Sequence, residues 1–272
     1  MPQDYMSSKL PPHVRSKETA GDIMLDVSIA LLPSAVMGVH FFGLRSAFVL
    51  IAALLSSIVA DVAVRFVKTR RIDILKTDKS PLVTGILVGL CLPAHAPLWV
   101  PFVGGFFAIA VIKQLKIKKA GGNIFNPALG GLLLVYLMVP NLACDIGVIC
   151  ETAAWPLVLG FAYLCVRKIA RVHITVAYIF VFLILSWIFR DINPFGLLSQ
   201  GLVLITALFM ATDFRTSPAH PLGQIIFGLG CGVVVVVLQS IAASAGSHLP
   251  VIVGVLLMNI TAPIMDRAIR NM

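Results

Sequence analysis

Apolar residues in this chain come in runs long enough to cross a lipid bilayer, separated by short polar breaks, and the runs number about ten. A hydrocarbon core of ~30 Å takes about 20 helical residues per crossing. The runs fall roughly at 22–42, 45–65, 80–94, 97–113, 126–140, 153–166, 174–189, 198–212, 223–243 and 250–266, and several are short for a full crossing. Inside lipid each segment must satisfy its own backbone hydrogen bonds, so the pattern predicts an all-α integral membrane protein. Residues 1–21 contain no apolar core of the kind a cleaved signal carries, and the first run is expected to remain as a span.

Composition agrees with that class. Of 272 residues, 59% are hydrophobic and 12% charged, with a mean hydropathy of +0.99, whereas a soluble domain carries about 25% charge. Almost nothing is left for a soluble domain. The net charge of +9 reads as a topology signal, because cytoplasmic loops retain Lys and Arg. An inside N-terminus puts Lys9, Arg15 and Lys17 on the tail and Arg65, Lys68, Arg70, Arg71, Lys76 and Lys79 in the second connection. Lys113, Lys116, Lys118 and Lys119 then follow the fourth span, Arg167, Lys168 and Arg171 the sixth, Arg215 the eighth, and Arg267 and Arg270 the tenth. Only Arg45 and Arg190 lie outside, and both termini are expected to be cytoplasmic. Charge spread over every inner loop argues against a nucleic-acid partner. Trp99, Trp155 and Trp187 fall near span ends, where indoles favour the interface.

Ten spans with both ends inside divide into five and five, so the second half is expected to enter the membrane inverted. The reading is a tail at 1–21, a first five-helix repeat at 22–140, an outward loop at 141–152 and a second repeat at 153–272. Two echoes support it. "LCLPAHAPLWV" (Leu90–Val100) ends the third span and "TSPAHPLG" (Thr216–Gly223) the eighth, while Asn126-Pro127 in the fifth span is matched by Asn259 and Pro263 in the tenth. Interrupted helices at matching places point to a site between the halves. In "GGNIFNPALGG" (residues 121–131), Asn126 suits an N-cap and Pro127 the first helical turn. Free N–H groups at such a start attract anionic or electron-rich groups.

Four stretches carry a family resemblance: "SPLVTGILVGLCLP" (Ser80–Pro93), "GGNIFNPALGG", "MATDFRTSPAHPLGQIIFGLGCG" (Met210–Gly232) and "LLMNITAPIMD" (Leu256–Asp266). Together they make the chain resemble the RnfD/NqrB membrane subunits of ion-translocating ferredoxin:NAD and NADH:quinone oxidoreductases, over nearly its whole length and in the same order. The resemblance implies ten helices in an inverted repeat, in outline like urea channels. It also implies FMN esterified to a threonine in a Ser/Thr-Gly-Ala-Thr sequence outside the fifth span, and in some members a second, non-covalent flavin such as riboflavin. The implied partners are the other Rnf-type membrane, flavin and iron–sulfur subunits, within the lipid of the cytoplasmic membrane, with electron transfer coupled to Na⁺ or H⁺ movement. This chain departs from the pattern, because no Ser/Thr-Gly-Ala-Thr occurs in it. Thr152 is the threonine of the outward segment Asn141–Leu157, yet its neighbours are Glu151, which would repel a phosphate, and Ala153. The plainer role for Thr152 is to cap the sixth span.

Further residues carry candidate chemistry. Thr212, Asp213, Thr216 and Ser217 end the eighth span and, with Asn123 and Asn126, are candidates to hold a flavin; Asp213 and Arg215 alternatively pair to cap the helix end. Asp26 and Asp61 sit within spans, where carboxylates mark an ion path or an internal pair, and Arg65 lies four residues beyond Asp61. His95 and His220 are either proton relays or ordinary loop-end histidines. Cys144 and Cys150 suit a disulfide on the outward loop, while Cys91, Cys165 and Cys231 read as packing residues; no metal site is expected. Glycines in Gly105–Ala110 and Gly228–Gly232 suit close helix contact. There is no Gly-x-Gly-x-x-Gly and no iron–sulfur cysteine set, so the chain alone is expected to complete no reaction. The rival reading is a ten-helix transporter or channel for a small polar solute.

Overall fold

The computed structural model describes residues 19–70, 79–116, 123–143, 148–190, 196, 200–242 and 248–270. These residues form ten helices: α1 (Ala20–Phe42), α2 (Leu44–Thr69), α3 (Ser80–Leu90), α4 (Trp99–Ala110), α5 (Pro127–Met138), α6 (Ala154–Val166), α7 (Val172–Arg190), α8 (Gly201–Met210), α9 (Pro221–Ile241) and α10 (Leu249–Arg270). The second half of α8, Thr206–Met210, is wound as a π-turn. Among the described residues strand pairing is confined to two isolated bridges, Pro93 with Val148 and Lys116 with Asn123.

Five helices, α1, α2, α7, α9 and α10, are long and apolar enough to cross a membrane. The others are not. At ~1.5 Å per residue, α3, α5 and α6, with 11, 12 and 13 residues, reach only about half to two-thirds of a ~30 Å core. The ten apolar runs are therefore five long helices and five short ones. Long apolar stripes face outward: Phe48, Ile51, Leu55 and Val59 on α2 and Phe180, Ile184, Trp187 and Ile188 on α7 are exposed at helical spacing. With these faces the chain is a multi-pass membrane protein.

Local signals start the helices. Thr19 and Asp22 exchange capping bonds at the head of α1. Asn126 caps α5 ahead of Pro127, and His220 caps α9 through Nδ1, which accepts from the Leu222 N–H at 3.2 Å ahead of Pro221. The expected break at Asn259 and Pro263 does not occur: α10 runs unbroken from Leu249 to Arg270 with Pro263 inside it. Packing on both sides carries the helix through the one missing N–H.

The two halves pair their helices in the same order. Helix α2 packs on α3 and α4, and α7 on α8 and α9; α4 packs on α5, and α9 on α10. Across the halves α1 meets α6 and α5 meets α10. Glycines make the closest of these approaches. A Cβ on Gly105 would strike the Ala53 carbonyl and Ser57 hydroxyl of α2, and one on Gly228 the Ile174 carbonyl of α7. Gly131 rests on the Gly104 carbonyl, and Gly160 of α6 on the Ala30 carbonyl of α1. Such contacts hold helices together where no hydrophobic force acts between them.

Candidate functional site

A cleft opens at the end of the bundle where α1, α3 and α5 begin and α6 and α8 end. Asn123, Asn126, Thr212, Asp213 and Arg215, with Ser80 and Thr84, supply its polar lining, and Met24, Val83, Leu87, Leu164 and Phe209 are among its apolar walls. Its water-accessible space is about 60 Å³. Four of the six residues expected to hold a flavin thus meet in one place. The other two do not line it.

Asn126 organises the cleft. Its Oδ1 accepts from the N–H groups of Ala128 at 3.0 Å and Leu129 at 3.4 Å, and its Nδ2 donates to the Met210 carbonyl at 3.1 Å. One buried side chain therefore starts α5 and ties it to the end of α8 in the other half. Thr212 donates to the Leu208 carbonyl at 2.7 Å, which leaves its oxygen free to accept. Asp213 accepts the Arg215 N–H at 3.2 Å, a short turn rather than a helix cap, and the Arg215 guanidinium lies over the Phe214 ring at 5.6 Å. Burial pushes the Asp213 carboxyl above its usual range, against the Arg215 N–H and the Arg215 and Arg171 charges, which pull it down.

Arg171 was legible only as a topology charge, yet it clamps this loop. It donates to Ser217 O at 2.9 Å, Ser217 Oγ at 2.8 Å and Pro218 O at 2.6 Å. Ser217 is thereby engaged away from the cleft; Thr216 is also buried, and its Oγ1 finds no hydrogen-bond partner among the described residues. Nothing in the linear spacing links Arg171 to Ser217.

Asp26 and Asp61, the carboxylates expected within spans, are both paired. Asp26 accepts from Tyr163 Oη at 2.8 Å and Arg167 Nη2 at 3.0 Å, a bond set joining α1 to α6. Asp61 meets Arg65 at 2.7 Å, as the spacing suggested, and also Lys113 at 3.0 Å, which the spacing could not suggest. His95 and His220 are exposed.

Thr152 stands apart from the cleft. It follows a short 3₁₀ turn, Ile149–Glu151, and is half-buried. The expected capping of α6 by Thr152 is not seen, because Ala153 occupies the N-cap position and no side chain bonds there. Gly201, at the start of α8, packs on the Cys150 carbonyl, while Met210 at its end meets Asn126. Thr152 and Thr212 therefore sit at opposite ends of α8, roughly 15 Å apart along the axis. Cys144, the expected partner of Cys150, lies outside the described residues. Among the described residues no group of three or more His, Cys, Asp or Glu is placed to hold a metal ion.

The sequence profile of the NQR2, RnfD, RnfE family matches residues 7–146 and 141–272. The chain belongs to that family. Among its relatives is a subunit of a proton-translocating ferredoxin:NAD(+) oxidoreductase complex from Clostridium ljungdahlii, 32% identical over 94% of this chain and 92% of the relative. A subunit of a Na(+)-translocating ferredoxin:NAD(+) oxidoreductase complex from Acetobacterium woodii is 28% identical over 94% of this chain and 91% of the relative. A subunit of an ion-translocating oxidoreductase complex from Methanosarcina acetivorans is 26% identical over 84% of this chain and 83% of the relative. The matched ranges take in both walls of the cleft, the Asn126 segment and the Met210–Ser217 segment.

Proposed function

We propose that this chain is a membrane subunit of an Rnf-type electron-transport complex that couples electron transfer to Na⁺ or H⁺ translocation, and that it holds a flavin without a covalent bond in the cleft between its two halves. The observation that carries this reading is the meeting of Asn123, Asn126, Thr212, Asp213 and Arg215 in one cleft, in a chain whose relatives are subunits of ferredoxin:NAD(+) oxidoreductase complexes.

The lining fits the pyrimidine edge of a flavin by its chemistry. Asp213 and the Thr212 oxygen can accept from a ring N–H, and the Asn123 amide and Arg215 guanidinium can donate to ring carbonyls. Apolar walls with a few convergent polar groups are the usual make-up of a cofactor site. A bound flavin would supply the one- and two-electron chemistry, and these residues its position and electrostatics. Attachment of FMN at Thr152 does not fit, since Glu151 sets a carboxylate beside the phosphate and the Gly-Ala-Thr context is absent.

The same reading includes the topology. The matched pairing order of the two halves supports an inverted 5+5 repeat, and the loop distribution of Lys and Arg supports cytoplasmic termini in the cytoplasmic membrane. The cleft then lies at the cytoplasmic face and Thr152 at the outward one.

Purification of the complex tests the assignment. This chain should carry a flavin absorbance band that is released on denaturation and gives no fluorescent band on a denaturing gel. A colourless protein that passes a small polar solute in liposomes would establish the channel reading instead. A fluorescent band lost in Thr152→Val would restore the covalent anchor.

A further inference from the structure

The loop that ends α3 and the segment that precedes α6 meet in an antiparallel register. Pro93 pairs with Val148, and the Ile149 N–H donates to the Leu92 carbonyl at 3.1 Å. Cys91 and Cys150 are the next residues along from that bond, Cys91 at the C-terminal cap of α3 and Cys150 in the short turn Ile149–Glu151. A disulfide requires Cα atoms within ~4.4–6.8 Å, the range open to residues that flank a backbone hydrogen bond between neighbouring segments.

The side chains agree with the backbone. The two thiols are near enough to act on each other electrostatically, and both cysteines are buried and carry free thiols. Each is also held from behind: Tyr136 donates its hydroxyl to the Cys91 carbonyl, and Gly201 packs on the Cys150 carbonyl. Cys165 and Cys231, by contrast, lie within helices α6 and α9.

We propose that Cys91 and Cys150 close to a disulfide that staples the broken end of α3 to the segment entering α6. The proposal rests on the outward placement of this end of the bundle argued above, because disulfides persist in an oxidising outer compartment. The co-reactant is a protein disulfide of that compartment. One cysteine thiolate attacks it to give a mixed disulfide, and the second thiolate then displaces the carrier. The two cysteines give up two protons and two electrons to form one S–S bond, and the carrier is reduced to two thiols. The exchange takes place during folding, before packing excludes the carrier. It closes a loop of roughly 60 residues, long enough for the cross-link to restrict the unfolded chain substantially. Cys150 is then committed to Cys91, not to Cys144 as their shared loop had suggested.

The test uses the complex in its own membranes, quenched in acid and denatured with N-ethylmaleimide, with and without prior reduction, then digested for mass spectrometry. The expected result is a cross-linked peptide joining Cys91 to Cys150 that disappears on reduction. Cys91→Ser and Cys150→Ser should each lower the thermal midpoint, with the double variant no worse than either. Recovery of both cysteines alkylated without reduction, or of Cys150 bridged to Cys144, overturns the proposal. A membrane-impermeant maleimide on Asn141→Cys in the double-serine background separates the two readings, since Asn141 is exposed. Failure to label it in intact cells sinks the outward placement and the route of oxidation with it, whereas labelling combined with free Cys91 and Cys150 sinks the disulfide alone.

Discussion

Asn126 acts at two distances. As an N-cap it serves its own helix, a role legible from Asn-Pro ahead of an apolar run; as a donor to Met210 it serves the other half, a role no local pattern shows. Asn126→Leu removes both. Losing the cap costs about 0.5–2 kcal/mol, and leaving the Met210 carbonyl unmet in a buried place costs about 1–3 kcal/mol more. The variant should melt several degrees lower and retain less flavin; Asn126→Asp, which keeps the cap but not the Nδ2 donor, should fall between. Unchanged flavin content in a folded Asn126→Leu complex would remove the cleft from consideration. Asp213 offers a test by pH. Its folded carboxyl titrates above the ordinary 3.8, so the fold favours the protonated form, and the stability it lends at low pH is lost as pH rises through the raised value. Asp213→Asn keeps an acceptor for the Arg215 N–H but has no charge to bury. Its thermal midpoint relative to the parent should therefore rise as pH climbs above the ordinary carboxylate value of 3.8, and a flat difference would contradict the stated burial.

Among the elements, small residues set the spacing. Gly160 brings α6 onto the Ala30 carbonyl of α1, and a methyl group there has nowhere to go except by parting the helices. Gly160→Ala should cost about 1–3 kcal/mol, as overpacking does, read as a lower thermal midpoint. The control is Gly21→Ala, whose Cβ would meet the Thr19 hydroxyl at an ordinary 3.6 Å and which should be neutral or mildly stabilising. Gly105 and Gly228 were legible in the sequence as members of small-residue clusters, Gly160 was not, and the partner of none of them was. The same holds for helix length. Hydropathy sees apolar residues whether they are helical or not, and so it ran α3 on through Cys91, Leu92 and Ala94, which are buried as loop. In α10 the opposite happened: an Asn and a Pro that mark breaks elsewhere were absorbed into a continuous helix.

For the whole molecule, orientation and assembly are the quantities to measure. Engineered cysteines at Asn141 and at the exposed Lys116 should label from opposite sides of the membrane; labelling from one side would break the inverted arrangement. The Asp26–Arg167 pair joins α1 to α6, one in each half, at the cleft end of the bundle. Arg167→Gln leaves the buried Asp26 carboxylate with Tyr163 as its remaining partner, and losing a hydrogen bond to a charged group costs about 1.5–3 kcal/mol. The expected outcome is loss of this chain from the purified complex, partly rescued when Asp26→Asn is added.

By itself the sequence determined that the chain lives in lipid, that its Lys and Arg gather in alternate connections, that it holds about ten apolar segments, and that α5 begins at Asn126. These follow from composition and local spacing, which act within a turn or two of helix. Only the tertiary structure decided which apolar segments are full helices and which stop short, that Asp61 meets Lys113 as well as Arg65, that Arg171 holds the Ser217 loop, and that Cys91 faces Cys150. Those are contacts between residues tens of positions apart, chosen by helix packing and by the requirement that every buried charge and backbone group find a partner, and neither rule leaves a mark at any single stretch of the chain.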